Sequence, residues 1–276
     1  MKKIFILIFA LMFFPCSAFA SPLENISVEA ELPVIMYHLV TEKQKYIGKY
    51  GITPKELESD LSYLKENNYS TVLMQDLIDF VNTGKALPEN PIMLTFDDGN
   101  ASDHEFLLPL LEKYEMKAVI AVIGEAADRI TALWEENPSG RYPNLTWQQI
   151  SELHNSGLVE IQSHSYNLHK VPIGCGKKKG ECAEKYHARL LTDLQKFQDA
   201  CEAHLNYTPT ALVYPLGVIS EGSREVLEAL GMAASISCQE GMNTIRRNDP
   251  DCLFQILRTN RPSGKSIEAI LKKLTS

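Results

Sequence analysis

The sequence has no cysteine pair in CxxC spacing, no HExxH signature, no surplus of basic charge and no internal repeat. Without CxxC pairs, a structural zinc cluster of thiolates has no ligands. Without HExxH, the helix-borne site of the zinc proteases is excluded. Lys and Arg number 27 against 35 Asp and Glu, a formal net charge of −8, so the basic footprint of a general nucleic-acid binder is missing. Low-complexity tracts and linkers are missing too. Hydrophobic residues make up 45% of the 276, so a folded chain is expected rather than a disordered one. A chain of this size buries about three-quarters of its unfolded surface, enough for one large domain or two small ones.

Long apolar runs are also scarce. The run from Ile4 to Phe14, preceded by Lys2 and Lys3, is too short for a bilayer span of ~20 residues. Ala18-Phe19-Ala20 then offers small residues where a signal peptidase reads, so residues 1–20 are expected to be a cleaved signal peptide. Removing twenty of the 276 residues leaves 256, takes away two lysines and no acid, and shifts the charge to −10. This reading predicts a single domain over 21–276, secreted or in the periplasm or cell envelope, with no stable membrane insertion after cleavage. Export permits disulfides. Cys175 with Cys182, and Cys238 with Cys252, bracket loops and are the candidate pairs, while Cys201 falls on a helical stretch as a buried thiol.

What the chain does contain is a succession of short apolar runs separated by helical patterns. Strands are expected at 33–39, 70–74, 91–96, 117–123, 158–163, 210–214, 232–237 and 253–258. Thr53-Pro54-Lys55-Glu56 combines an N-cap, a first-turn proline and a capping-box acid, and Thr146 to Gln149 repeats that logic, with Gly157 ending the segment. Tyr186, Leu190, Leu194, Phe197 and Cys201 keep one face of a long helix. Strand–helix alternation implies a parallel sheet covered by helices, an α/β fold closing into a barrel, with a doubly wound open sheet as the other solution.

Active sites of such barrels sit at the C-terminal ends of the strands. Four strand ends here carry polar or Gly/Pro-marked sequences: Tyr37-His38; Asp97-Asp98-Gly99; His164 through His169; and Tyr214-Pro215-Leu216-Gly217. Singly, each has a bland reading as a turn, a cap or a packed histidine. Five residues at ~100° each would leave His164 and His169 about 140° apart on a helix, so they must share a loop to bind one ion. One carboxylate and two imidazoles with an open position suit zinc or a similar divalent metal, and an adjacent second acid can act as a base.

These residues resemble a known family. Thr95-Phe96-Asp97-Asp98-Gly99 is similar to the first motif of the polysaccharide deacetylases (carbohydrate esterase family four). Ser163-His164-Ser165 with His169 is similar to the second motif, and Tyr214-Pro215-Leu216-Gly217 to the third. Val34-Ile35-Met36-Tyr37-His38 resembles the opening of the permuted poly-N-acetylglucosamine deacetylase branch. The resemblance implies a distorted (β/α) barrel of about seven strands. It also implies removal of N-acetyl groups from a GlcNAc-containing glycan: poly-N-acetylglucosamine, peptidoglycan or chitooligosaccharide. Asp98, His164 and His169 would hold the divalent metal, with zinc the expected ion. Asp97 would be the base, His38 the acid that protonates the leaving nitrogen, and the backbone N–H of Leu216 an oxyanion donor. Tyr214, Pro215 and Leu216 would contact substrate.

Two departures stand out. Leu216 replaces the usual tyrosine of the third motif, and the arginine that commonly precedes it is missing from Thr210 to Tyr214. That arginine helps orient the base in the wider family, so another group must position Asp97 or activity falls. A catalytically weak or inactive glycan-binding protein on the same scaffold is therefore the alternative. A glycoside hydrolase fits poorly, since its acids flank the scissile bond ~5–9.5 Å apart. Arg258, at the end of the last expected strand, is a structural candidate reaching towards the carboxylates. Lys177 to Lys179 read as a solvated hairpin tip. His104, His154, His187 and His204 read as surface or packing residues, and Trp147 as a helix-start core aromatic.

Overall fold

The computed structural model describes residues 28–275. The expected leader and its cleavage site, residues 1–20, lie outside the described residues. In chain order come β1 (Glu29–Leu32), β2 (Val34–Tyr37), β3 (Leu39–Val40), β4 (Gly51–Ile52), α1 (Pro54–Glu66), β5 (Ser70–Thr71), α2 (Met74–Thr83) and β6 (Pro91–Asp98). They are followed by α3 (Leu108–Tyr114), β7 (Ala118–Val122), α4 (Gly124–Glu136), α5 (Trp147–Asn155), β8 (Val159–Ser163), α6 (Ala183–Leu205) and β9 (Ala211–Val213). The last elements are α7 (Ser223–Ala229), β10 (Ala234–Ile236), β11 (Asn243–Arg246), β12 (Thr259–Asn260) and α8 (Ile267–Leu274).

Seven parallel strands run in the order β10-β9-β8-β7-β6-β2-β12, and β5 pairs with the start of the long β6. One segment touches both edges of this sheet. Ile256 bridges Ile236 of β10, and from three residues on, Thr259 and Asn260 pair with Ile35 and Met36 of β2. The sheet is thereby curled on itself as a distorted barrel, and the doubly wound alternative is excluded.

Because strand side chains alternate, parity sorts the core. Val34, Met93, Val119, Ala121, Ala211, Val213, Ala234, Ile236 and Ile256 fill the interior of the curl. Their strand neighbours Ile35, Tyr37, Leu94, Phe96, Ile120, Val122 and Ile161 face outward and are covered by α1, α3, α5 and α6. The anticipated helix signals operate as expected. Thr53 Oγ1 accepts from Glu56 N at 3.1 Å while Glu56 accepts from Thr53 N at 2.9 Å, and Thr146 with Gln149 repeats the reciprocal pair. The stripe from Tyr186 to Cys201 is the buried face of α6.

Several expectations need correction. The expected strand at 70–74 is only two residues long, because Asp76 caps Leu73 N–H and starts α2. The strand expected at 253–258 is displaced to Thr259–Asn260. A 3-10 turn over Pro250–Leu253 and a left-handed Gln255 (φ 59°) interrupt the extended run. The antiparallel pair β1–β11 was not anticipated. Neither candidate disulfide forms: all five described cysteines are free. Cys175 is buried beside Tyr186 and Leu190, whereas Cys182 is exposed at the start of α6. Cys252 lies against the backbone of Arg246, while Cys238 lies against Arg258. No helix among the described residues is long and apolar enough to cross a membrane.

Candidate active site

Parity also delivers side chains to the rim. The inward series 34, 36, 38 ends at His38; 93, 95, 97 ends at Asp97; and 160, 162, 164 ends at His164. They meet in a cleft of about 580 Å³ that also takes in His169, Asp98 and Leu216. Three non-glycine residues on this rim are left-handed, Asp98 (φ 78°), Ser165 (φ 68°) and Leu216 (φ 59°). Such backbone costs about 1–3 kcal/mol per residue and concentrates at functional sites. At Asp98 it ends the alternation of β6, so that two adjacent carboxylates take different surroundings.

Asp97 points inward and is buried. Its two oxygens accept from Nη1 and Nη2 of Arg258, each at 2.7 Å, in a fork-to-fork pair. Arg258 is fully buried and is held in turn by Ser237 O at 2.8 Å and Thr95 Oγ1 at 3.2 Å. Burial alone would raise the Asp97 pKa. The Arg258 guanidinium, with His164 and His38 beside it, reverses that effect and holds the carboxyl well below the usual carboxylate range. His38 Nε2 stands 3.7 Å from Asp97 Oδ2, and its ring packs on Tyr50 with centroids 4.7 Å apart.

Asp98 faces the other way. Its Oδ1 lies 3.6 Å from His164 Nε2 and 3.4 Å from His169 Nε2. That oxygen is buried and has no hydrogen-bond partner among the described residues. His164 Nδ1 lies 2.8 Å from Val213 O, so Nδ1 carries the proton and the Nε2 lone pair is left facing Asp98. Burial lowers the His164 pKa, which favours the neutral imidazole a metal requires. Three ligand atoms within 4.8 Å of one another, one of them an orphaned carboxylate oxygen, fit a divalent ion.

The loop carrying His169 is clamped from two sides. Asp193 of α6 accepts from Tyr166 N at 2.8 Å and Asn167 N at 2.9 Å. The first N–H groups of α4 donate to the carbonyls of Ser165 (3.2 Å) and Tyr166 (2.8 Å).

Not every expected site residue reaches the cleft. Leu216 does, 39% exposed. Tyr214 does not, and parity gives the reason. Ala211 and Val213 face inward, so Tyr214 faces outward, is buried among Tyr186, Leu190 and Leu227, and donates its hydroxyl to Ser223 at 2.9 Å. Pro215 is buried as well. Trp147 is a core residue whose indole donates to Asp128, with His204 stacked on it, and His104 lies on the surface against Glu152. Sequence reasoning missed Tyr46, Lys49, Tyr50, Cys238 and Asn260, which also line the cleft. Tyr46 and Tyr50 are about half exposed, and two lysine–tyrosine pairs in the loop after His38 were the available signal. Asp103, fully buried behind the site with neither carboxyl oxygen partnered among the described residues, was missed too. Burial, with Asp98 and Asp97 nearby, pushes its pKa well above the usual range.

Residues 84–235 match the family model described as polysaccharide deacetylase. A poly-beta-1,6-N-acetyl-D-glucosamine N-deacetylase of Escherichia coli (strain K12) is 26% identical over 276 residues, covering 90% of this chain, and this chain spans 41% of that relative's length. A protein of the same name from Staphylococcus aureus (strain MSSA476) is 22% identical over 205 residues, 74% of this chain and 67% of that protein. Among solved structures, the de-N-acetylase from Aggregatibacter actinomycetemcomitans superposes with a TM-score of 0.73 at 25% identity, covering 88% of this chain and 99% of that one. The chain belongs to the polysaccharide deacetylase family.

Proposed function

We propose that this chain is a metal-dependent N-deacetylase acting on a GlcNAc-containing polysaccharide, with poly-N-acetylglucosamine the favoured polymer among the three named above. The observation that carries this reading is the separation of the two adjacent acids. Asp97 is locked on Arg258, while Asp98 is turned towards two imidazoles. The printed names of the E. coli and S. aureus relatives support the choice of polymer.

Asp98, His164 and His169 would hold the ion. A divalent metal held there, zinc by its donor set, would supply polarisation of the acetyl carbonyl and a lowered pKa for a water. Asp97 Oδ2 is the proton acceptor, fixed by the Arg258 fork. His38, beside Asp97 and packed on Tyr50, delivers a proton to the sugar nitrogen as the amide breaks. The backbone N–H of Leu216 is assigned to the developing oxyanion. Tyr46 and Tyr50 offer aromatic faces to a sugar at the rim. Export through a leader at 1–20 and a single domain over 21–276 belong to the same reading.

The Arg258 fork on Asp97 supports a positioning role like that of the absent third-motif arginine, one of the two grounds for an inactive glycan binder, the other being Leu216. The test is acetate release from β-1,6-linked GlcNAc oligomers, chitooligosaccharides and peptidoglycan fragments, with added zinc and with chelator. Release from at least one class that chelator abolishes is expected. Release from none by the zinc-loaded protein refutes the reading.

A further inference from the structure

The two imidazoles beside Asp97 are held in different ways. His164 is oriented by its own hydrogen bond, from Nδ1 to Val213 O. His38 is not: its Nδ1 is buried and has no hydrogen-bond partner among the described residues. Nor does the sheet hold it, because the β2–β6 ladder ends one residue earlier, at Tyr37 opposite Phe96. The position of His38 is therefore inherited from the backbone on either side. On one side Leu39 N donates to Tyr50 O at 3.0 Å, and β3 pairs with β4. On the other stands Tyr37, whose ring turns to the outer face of the sheet.

Tyr37 is buried and held at both ends of its side chain. Its ring stacks on Phe96, with centroids 4.8 Å apart and planes 9° from parallel. Its hydroxyl donates to Asp60 Oδ2 of α1 at 3.1 Å. Burial pushes the Tyr37 pKa well above its usual value, so the hydroxyl keeps the proton it donates. Asp60, buried as well, is fixed by Arg261: Nη2 donates to Oδ1 at 3.0 Å, and Nε lies 2.7 Å from Oδ2. Arg261 also returns to the strand itself, its N–H donating to Met36 O at 3.0 Å.

The two faces of the sheet are matched. Phe96 and Tyr37 each stand one residue before a working side chain, Asp97 and His38, so strand alternation puts the aromatic stack outside and the working pair inside. Arg258 and Arg261 flank β12 and divide the same way. Arg258 grips Asp97 from the interior, while Arg261 grips Asp60, and through it Tyr37, from the outer face.

We propose that Tyr37, Asp60 and Arg261 are positioning residues for His38. This rests on the deacetylase reading, in which His38 protonates the leaving nitrogen. The anchored hydroxyl fixes the rotation of the end of β2 about its own axis, and that rotation sets where His38 points on the opposite face. The three residues lie away from the cleft and act through His38.

Replacing Asp60 would leave Arg261 charged, buried and unpaired and threaten the fold. The test variant is therefore Tyr37→Phe, which keeps the stack on Phe96 and removes only the hydroxyl. The full, zinc-loaded chain is assayed on a β-1,6-linked GlcNAc oligomer and on 4-nitrophenyl acetate. The sugar amine needs a proton to leave and 4-nitrophenolate does not, so a misplaced acid is felt on the amide alone. Damage to the base or to the fold is felt on both. The expected result is a kcat for acetate release about tenfold lower relative to the ester rate, with KM unchanged, a part of the roughly 10²-fold loss expected of His38→Ala. In the His38→Ala background, Tyr37→Phe should change that ratio no further, since its effect passes through His38. An equal fall on both substrates, no fall, or the same loss without His38 overturns the positioning role and leaves the deacetylase reading standing. No acetate release by the wild type refutes that reading instead, and crystal structures then decide: a His38 ring displaced in Tyr37→Phe upholds the network, and one unmoved overturns it.

Discussion

Arg258 and Asp97 face each other with two parallel hydrogen bonds of 2.7 Å, Arg258 fully buried inside the barrel and Asp97 at the floor of the cleft. The pair lies 161 residues apart in sequence, joining the segment that closes the sheet to the strand that carries Asp97. Removing one partner of a buried ion pair costs about 3–5 kcal/mol, because the other is left charged and unpaired. Arg258→Met is therefore expected to lower stability by that order in chemical denaturation, and to lower kcat by about 10²-fold through misplacement of the base. Arg258→Lys keeps the charge without the planar fork, so it should restore more stability than activity. Full activity in the lysine variant would contradict the positioning role.

Asp193 fixes the backbone of the loop that presents His169, accepting from Tyr166 N and Asn167 N. Asp193→Ala is expected to weaken zinc binding by about 10–100-fold, the usual cost of removing an outer-shell support. A competition titration with a chromophoric chelator reads this directly. Unchanged zinc affinity would show that the α4 N-terminus holds the loop alone.

Glu56 is the clearest pH probe outside the site. Burial opposes its charge, but donors from Thr53, Gly264 and Ser263 outweigh that and bring its pKa down to about 2. A carboxylate depressed on folding contributes stability that is present above its unfolded pKa and lost as pH falls towards the folded one. Wild type should therefore exceed Glu56→Gln in Tm at pH 6, and the gap should shrink between pH 4.5 and pH 2. A gap independent of pH would remove the ionised capping box from the account.

The free cysteines give a simple chemical check. Denatured, unreduced protein should take up iodoacetamide at all five cysteines from Cys175 to Cys252. Uptake at three or at one would establish the bridges that the structure lacks.

Much of this was legible in the residues, and the failures have a common cause. The capping boxes at Thr53 and Thr146 and the buried stripe of α6 depend on neighbours within a few positions, and each was read correctly. Asp98, His164 and His169 come together, as expected, because strand ends converge in a parallel barrel. Tyr214 was misplaced although the alternation of Ala211, Leu212 and Val213 already pointed it outward. The last strand slipped because the left-handed turn at Gln255 is stabilised by Ser235, far from it in sequence. The cysteine pairing failed for a similar reason: burial of Cys175 in the core under α6 cannot be read from loop spacing.

The central claim is the division of labour between two neighbouring carboxylates, and paired variants test it most directly. Zinc content and acetate release should be measured for Asp97→Asn and Asp98→Asn on β-1,6-linked GlcNAc oligomers. Asp97→Asn should keep its zinc and lose acetate release, whereas Asp98→Asn should lose both. An Asp97→Asn protein that still turns over at the wild-type rate, or an Asp98→Asn protein that binds zinc as tightly as wild type, would contradict it.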